Sequence, residues 1–325
     1  MNAYKTGAFS QSLHMINHTI AILFILSSLI AATALAQVST ATPEASTSPA
    51  TSQDAPRECG LMRCLDRIPL TDDVYYTVLE PHSLKIQAGI WGLKLKELLP
   101  LNPKLEANSM LEPGDKILVH SRIASAPVPY AIGRVNQGTL KDARLMPEGN
   151  GYRLRTFRQR AWGIDETIQA LTTAFRAYHE KFPNAHLINL GEISKKNGGP
   201  LSPHLSHQTG RDVDIGFAFL EEPKSNHPEH FQKAKKNNFD AEKNWFLIQS
   251  LIQTGLVQVI YVDATVQKML YDYAAPSLTQ PQIDAIFSKA NRNHNANAII
   301  QHWPGHQNHY HIRFVCPANQ KKCKP

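Results

Sequence analysis

The apolar positions of this chain recur with two periods, and the change from one to the other marks its elements. Between residues 167 and 181, Ile168, Leu171, Ala174, Phe175 and Tyr178 fall three or four apart, as on one face of a helix. Residues 245–253 and 266–274 predict two more helices, while 186–191 and 257–262 are short apolar runs that predict buried strands. In 213–217, Val213, Ile215 and Phe217 alternate with Asp214 and Gly216, and in 310–314, Tyr310, Ile312 and Phe314 alternate with His311 and Arg313. Alternation is the strand signature, because successive side chains leave a strand on opposite faces. Helices and strands interleave through residues 123–325 without a glycine-rich nucleotide loop. We therefore expect an α+β domain with a central antiparallel sheet rather than a doubly wound one.

A smaller pattern precedes it at 71–122. Tyr76-Thr77-Val78-Leu79 predicts a strand, 83–89 a short helix opened by a Ser83 cap, 95–101 a second helix broken by Asn102-Pro103, and 116–119 a closing strand after the Pro113-Gly114-Asp115 turn. This βααβ order, with its Tyr-Thr-Val opening, Leu-Asn-Pro middle and Pro-Gly-Asp close, resembles the LysM domain. The resemblance implies a module for the N-acetylated sugars of peptidoglycan and chitin. It departs at Glu80-Pro81-His82, where a Gly-Asp turn is usual. Further forward, 37–70 begins as a Ser, Thr, Ala and Pro-rich tether that buries too little to offset its ordering entropy, and ends in a loop between Cys59 and Cys64. Residues 1–36 carry Lys5 and an apolar run over 20–36 ending in Ala34-Leu35-Ala36, the small-residue pattern of a secretory signal. That run is short for ~30 Å of hydrocarbon, and no later segment is apolar enough to cross. The mature chain is expected in the periplasm, without a membrane span.

Composition narrows the partners. At 325 residues, 42% apolar and 19% charged, the chain beyond its first segment is that of a soluble globular protein. A formal charge of +7 suits an anionic partner: nucleic acid, a membrane face or an acidic wall polymer. No RNA-binding signature or helix-turn-helix pattern accompanies it, so nucleic acid is not expected. The four cysteines stand as two close pairs, Cys59 with Cys64 and Cys316 with Cys323. Short loops in an oxidising compartment favour those two local disulfides among the possible pairings, and neither pair has the spacing of a zinc knuckle.

The candidate chemistry lies on and beside the two alternating strands. Asp212 and Asp214 point to one side of the first, and His309 and His311 to one side of the second. His207 precedes Gly210, a turn that can fold it back beside Asp214. The result is a His, Asp, His set of His207, Asp214 and one of the His309/His311 pair, donors of the kind zinc accepts. The other histidine then stands one pleat away, over the metal's open side. Three protein ligands leave a position for water, whose pKa zinc lowers from about 16 to roughly 7. His302 reads as a bystander.

Ser206-His207-Gln208-Thr209-Gly210-Arg211-Asp212-Val213-Asp214 and His309-Tyr310-His311, closing with Cys316-Pro317, resemble the penicillin-insensitive murein endopeptidases, within the wider group of lysostaphin-type and D-Ala-D-Ala metallopeptidases. The resemblance implies one Zn2+ per chain on His207, Asp214 and His311. It also implies His309 as the catalytic histidine, His204 and His306 beside the site, and a Cys316–Cys323 disulfide. The implied substrate is peptidoglycan, cut at D-alanyl-meso-diaminopimelate cross-links by a zinc-activated water, with no acyl-enzyme and hence no penicillin sensitivity. In that mechanism His309 takes or relays the proton and helps to hold the oxyanion. Asp212 orients a ligand imidazole, and Arg211 and Arg313 offer forked donors to substrate carboxylates. Two other functions fit the same residues: a D-Ala-D-Ala carboxypeptidase of the same fold group, and a catalytically inactive wall-binding scaffold.

Overall fold

A computed structural model describes residues 58–59 (backbone), 62–155, 157–224, 230–288 and 296–325. The expected secretory signal, the tether and the Cys59 side chain lie outside the described residues. At the centre is a six-stranded sheet of β1 (Tyr152–Leu154), β2 (Ile188–Leu190), β3 (Asp212–Gly216), β4 (Val257–Val262), β5 (Ile300–His302) and β6 (His309–Phe314), in the order β1-β2-β3-β6-β4-β5. The four inner strands pair antiparallel, but β1 runs parallel to β2 and β5 parallel to β4. The sheet is therefore mixed, not wholly antiparallel as expected. The connections explain this: helix Asp165–Lys181 lies between β1 and β2, and helices Ala264–Ala274 and Gln280–Ile286 between β4 and β5. A crossover of that length returns the chain in its original direction, which a tight hairpin cannot do.

Helices Asp165–Lys181 and Ala241–Gln253 pack on each other and, with Ala264–Ala274, cover apolar side chains of the sheet. Val213, Ile215, Tyr310, Ile312 and Phe314 are fully buried there, each contributing roughly 1.5–3 kcal/mol of burial. Helices Ala241–Gln253 and Ala264–Ala274 begin a little earlier than apolar spacing alone predicts, because caps set their starts. Asp240 accepts from the Lys243 N–H at 3.0 Å, and Asp263 from the Thr265 N–H at 2.9 Å. A hairpin, Tyr130–Arg134 with Gln137–Lys141, falls outside the elements read from sequence, as do β1, β5 and helix Gln280–Ile286. Among the described residues no helix is long and apolar enough to cross a membrane.

In the segment 71–122, strand Val74–Thr77 pairs antiparallel with Lys116–His120, and helices Leu84–Trp91 and Leu95–Leu98 run between them. Ser83 caps the first by accepting from the Ile86 N–H. This segment belongs to the same compact unit as the sheet, Asp54–Pro325. Polar contacts fasten it there: Tyr76 donates its hydroxyl to the Met146 carbonyl (3.0 Å), and the Thr77 N–H donates to Glu148 (2.9 Å). The Arg158 guanidinium lies 4.3 Å from the Tyr76 ring centroid and 2.5 Å from Glu148. His120 sits edge-on to Trp162, 5.0 Å between centroids.

Burial, with Lys196, Arg122 and Arg144 adding to it, pushes the His120 pKa down from 6.5 to about 4. The unfolded chain therefore takes up this proton first. The stabilisation from a neutral His120 is complete above pH 6.5 and drains away as the pH falls towards 4. Thermal melts across that window should show a falling midpoint, with a shallower fall in His120→Gln; identical slopes would refute this role.

Candidate active site

The register of β3 against β6 places the functional side chains. Asp212 pairs with Arg313, Asp214 with His311, and Gly216 with His309. Directly opposed residues share a face, so both aspartates, both histidines and Arg313 stand in two adjacent rows above the sheet. Val213, Ile215, Tyr310 and Ile312 take the opposite face and are buried in the core. The loop entering β3 then brings in His204 and His207. His207 adopts φ 64°, a left-handed conformation that few side chains accept, and it is held there from two sides. Its N–H donates to Asp212 Oδ2 (3.1 Å), and its ring Nδ1 donates to the Ile193 carbonyl (3.0 Å). Gly210 is also left-handed, at φ 71°, and a Cβ there would come within 2.9 Å of Gly163 Cα. No other residue type fits that turn.

Four imidazoles converge on the Asp214 carboxylate. To Oδ1 the distances are 3.0 Å from His311 Nδ1, 3.3 Å from His207 Nε2 and 3.8 Å from His309 Nε2; to Oδ2, His204 Nδ1 lies at 3.4 Å. Asp214 is 2% exposed and His207 1%. His207 Nδ1 gives its proton to the Ile193 carbonyl, and Nε2 is the ring atom turned towards Asp214. That atom is fully buried and makes no aligned hydrogen bond. A buried imidazole nitrogen this close to a buried carboxylate calls for positive charge between them, and with His204 and His311 on the same carboxylate these donors fit a metal ion.

Electrostatics divide the cluster in two. Burial disfavours the charge on Asp214, yet His207 and His311 outweigh it and hold the carboxyl well below the usual range. Asp212 is lowered likewise, burial being overcome by His311 and Arg313. Against their own burial, His311 is pushed up to about 9 by hydrogen bonds to Asp212 and Asp214, and His207 is raised by Asp214. Burial prevails for the outer histidines. It lowers His204 and His306 and brings His309 to about 4. His309 is thus neutral at pH 7. Its Nδ1 lies 2.7 Å from Asn308 Oδ1, which accepts the ring proton and leaves Nε2 unprotonated, and Phe231 stacks on the ring at 5.1 Å.

The residues singled out from sequence are largely brought together. His204, His207 and Asp214 hold donor atoms within 4.8 Å of one another, which moves His204 from the flank into the candidate donor set. His311 shares Asp214 with them, and His306 stacks against His309 at 4.7 Å. A cavity of ≈ 500 Å³ opens beside them, lined also by Tyr261, Trp303, Arg134 and Arg313 but not by His302. Arg313 donates Nε to Asp212 Oδ1 at 2.9 Å. The Cys316–Cys323 disulfide is formed, with Cα atoms 5.7 Å apart, and Cys64 is disulfide-bonded too, as suits an oxidising compartment.

Arg211 needs correction. It is fully buried and does not reach the cavity: Nε and Nη2 donate to the Phe314 carbonyl (3.1 and 2.9 Å), Nη1 to the Lys324 carbonyl (2.9 Å) and Nη2 to Gln258 Oε1 (2.9 Å). It binds the chain's own C-terminal segment, not a substrate. Glu192, conversely, escaped the sequence reading. It lies 3.9 Å from His204 Nε2, held by Arg155 (3.1 Å) and Arg160 (3.7 Å). The available signal was an acidic residue directly after the apolar run 186–191.

A family model described as penicillin-insensitive murein endopeptidase matches residues 131–325. Curated relatives carry the same description. That of Klebsiella pneumoniae (strain 342) is 26% identical over 198 residues, 60% of this chain and 69% of that protein. That of Yersinia pestis bv. Antiqua (strain Antiqua) is 24% identical over 221 residues, with the same coverage. That of Haemophilus influenzae is 26% identical over 206 residues, 59% of this chain and 66% of that protein.

Replacing Arg211 leaves the buried Phe314 carbonyl without its two donors and breaks the ties to Gln258 and Lys324. Urea unfolding of Arg211→Met should show a loss of roughly 3 kcal/mol. A loss under about 1 kcal/mol would contradict its structural role.

Proposed function

This chain belongs to the penicillin-insensitive murein endopeptidase family, and from that membership and its site we propose that it is a zinc-dependent DD-endopeptidase of the periplasm, cutting the D-alanyl-meso-diaminopimelate cross-links of peptidoglycan. It is a metallopeptidase. The observation that carries the reading is the buried Nε2 of His207, without an aligned hydrogen bond and 3.3 Å from Asp214, with His311 on the same carboxylate oxygen. His207, Asp214 and His311 would hold the ion, with His204 as a fourth donor within reach. Zinc supplies Lewis acidity there, polarising the scissile carbonyl and lowering the pKa of water to about 7.

The protein's own groups do the rest. His309, neutral and with Nε2 unprotonated, takes the proton of the attacking water and returns it to the leaving amine. Asn308 and Phe231 keep its ring in that tautomer and plane. Asp212 orients His207 through its backbone N–H, and Glu192 stands behind His204. Arg313 gives Nε to Asp212, lies 5.7 Å from the Tyr261 ring centroid and turns a cation towards the cavity for an anionic peptide. No side chain is acylated in this sequence of steps, so a β-lactam has nothing to trap. We read 1–36 as the export signal, 71–122 as a LysM-like unit that keeps the enzyme on glycan, and 123–325 as the catalytic domain.

Digestion of purified cross-linked sacculi tests this reading. Dimeric muropeptides should become monomers in the presence of penicillin. Pentapeptides losing a terminal alanine would indicate a carboxypeptidase instead, and no new product a binding scaffold. His207→Ala and His311→Ala should each cut hydrolysis more than about a hundredfold and reduce bound zinc, with circular dichroism unchanged. Undiminished hydrolysis by chelator-stripped protein would overturn the zinc assignment.

A further inference from the structure

With Arg211 buried, the cavity needs another source of positive charge at its rim, and the hairpin outside the sequence reading provides it. We infer that Arg134 selects the substrate by binding the free carboxylate on the amine side of the scissile bond. The inference rests on the murein endopeptidase reading and deepens it. In such a cross-link the leaving nitrogen is bonded to a carbon that itself bears a carboxylate. An enzyme that discriminates this bond from an ordinary amide therefore has an anion to recognise immediately beside the reacting carbonyl.

Arg134 ends strand Tyr130–Arg134, opposite Gln137, with Val135-Asn136 as the two-residue turn. The side chain is exposed, lines the cavity that holds His204, His207, His309 and His311, and makes no ion pair or side-chain hydrogen bond among the described residues. An arginine left uncommitted beside a site keeps its forked donors for a ligand. Arg313, the other cavity cation, already gives its Nε to Asp212.

The backbone beneath Arg134 is clamped from both sides. Gln208, next to His207, donates its N–H to the Val135 carbonyl (3.0 Å) and its side-chain amide to the Asn136 carbonyl (3.0 Å), and accepts from the Gly138 N–H (3.3 Å). On the other side the Gly133 N–H donates to the Lys322 carbonyl (2.9 Å), and the Lys324 N–H to the Gly133 carbonyl (3.0 Å). Gly133 sits at φ 80°, where a Cβ would meet the Gln137 carbonyl oxygen at 2.5 Å. The hairpin tip is thus tied to the residue beside a candidate ligand and to the disulfide-bonded tail. A guanidinium carried on such a rigid frame keeps a fixed offset from the reacting centre, as selection between neighbouring carboxylates requires.

The test compares two probes, a cross-linked tetrapeptide dimer with its diaminopimelate carboxylates free and the same dimer with them amidated. Calorimetry on metal-stripped protein reads binding, and chromatography on zinc-loaded protein reads kcat/KM. Wild type should prefer the free acid about tenfold in both measurements, Arg134→Gln should lose that preference, and Arg134→Lys should keep part of it. A preference that survives in Arg134→Gln, or is missing from wild type, overturns the inference. Binding preference without cleavage of either dimer by loaded wild type would retain Arg134 as the carboxylate site and sink the endopeptidase reading.

Discussion

Asp214 and His311 face each other across two antiparallel strands, both buried, and the other functional groups take their places from that pairing. A slip of one residue between β3 and β6 would send His309 and His311 to the face now occupied by Tyr310 and Ile312, inside the core. The apolar row of β6 resists such a slip, because Tyr310, Ile312 and Phe314 would all have to leave the core. Polar groups reinforce the register. Tyr310 donates its hydroxyl to Asn244 (3.1 Å), and Arg211 reaches across to the Phe314 carbonyl. Arg211 thus serves the site indirectly, by holding the strand that carries the histidines.

Burying this many charges is unfavourable unless each is paired, and the structure pairs them in a chain. Asp212 accepts from His207 and Arg313, Asp214 collects the imidazoles, and Glu192 gathers two arginines beside His204. The exceptions lie at the centre: a left-handed His207 backbone and a buried Nε2 that makes no aligned hydrogen bond. Departures from ordinary packing that are maintained by such a framework mark functional sites. An ion held by His207, His311 and Asp214 would displace the protons that the raised histidines carry, coupling metal binding to proton release.

Three stretches far apart in the chain meet around the cavity: the hairpin at 130–141, the loop and strand at 204–216, and the segment from 306 to the disulfide. The segment 71–122 is held as firmly, through Tyr76, Arg158 and Glu148, which gives it and the sheet a common frame. That rigidity suits an enzyme whose substrate is itself a fixed network.

Local periodicity by itself determined the strands at 213–217 and 310–314, the helices beneath them, and the shared faces of Asp212 with Asp214 and of His309 with His311. Those features depend on neighbours two to four residues away, which the chain spells out directly. The same alternation already separates Arg211 from Asp212, since adjacent strand residues point oppositely; it was the forked chemistry of arginine that suggested a substrate role. What tertiary structure alone decided are the relations between segments: the parallel outer strands imposed by helical crossovers, the entry of His204 into the donor set, Glu192 behind it, and Arg134 at the rim. Each depends on which strand lies beside which and on which face a helix covers, and those choices come from burying the whole apolar surface at once.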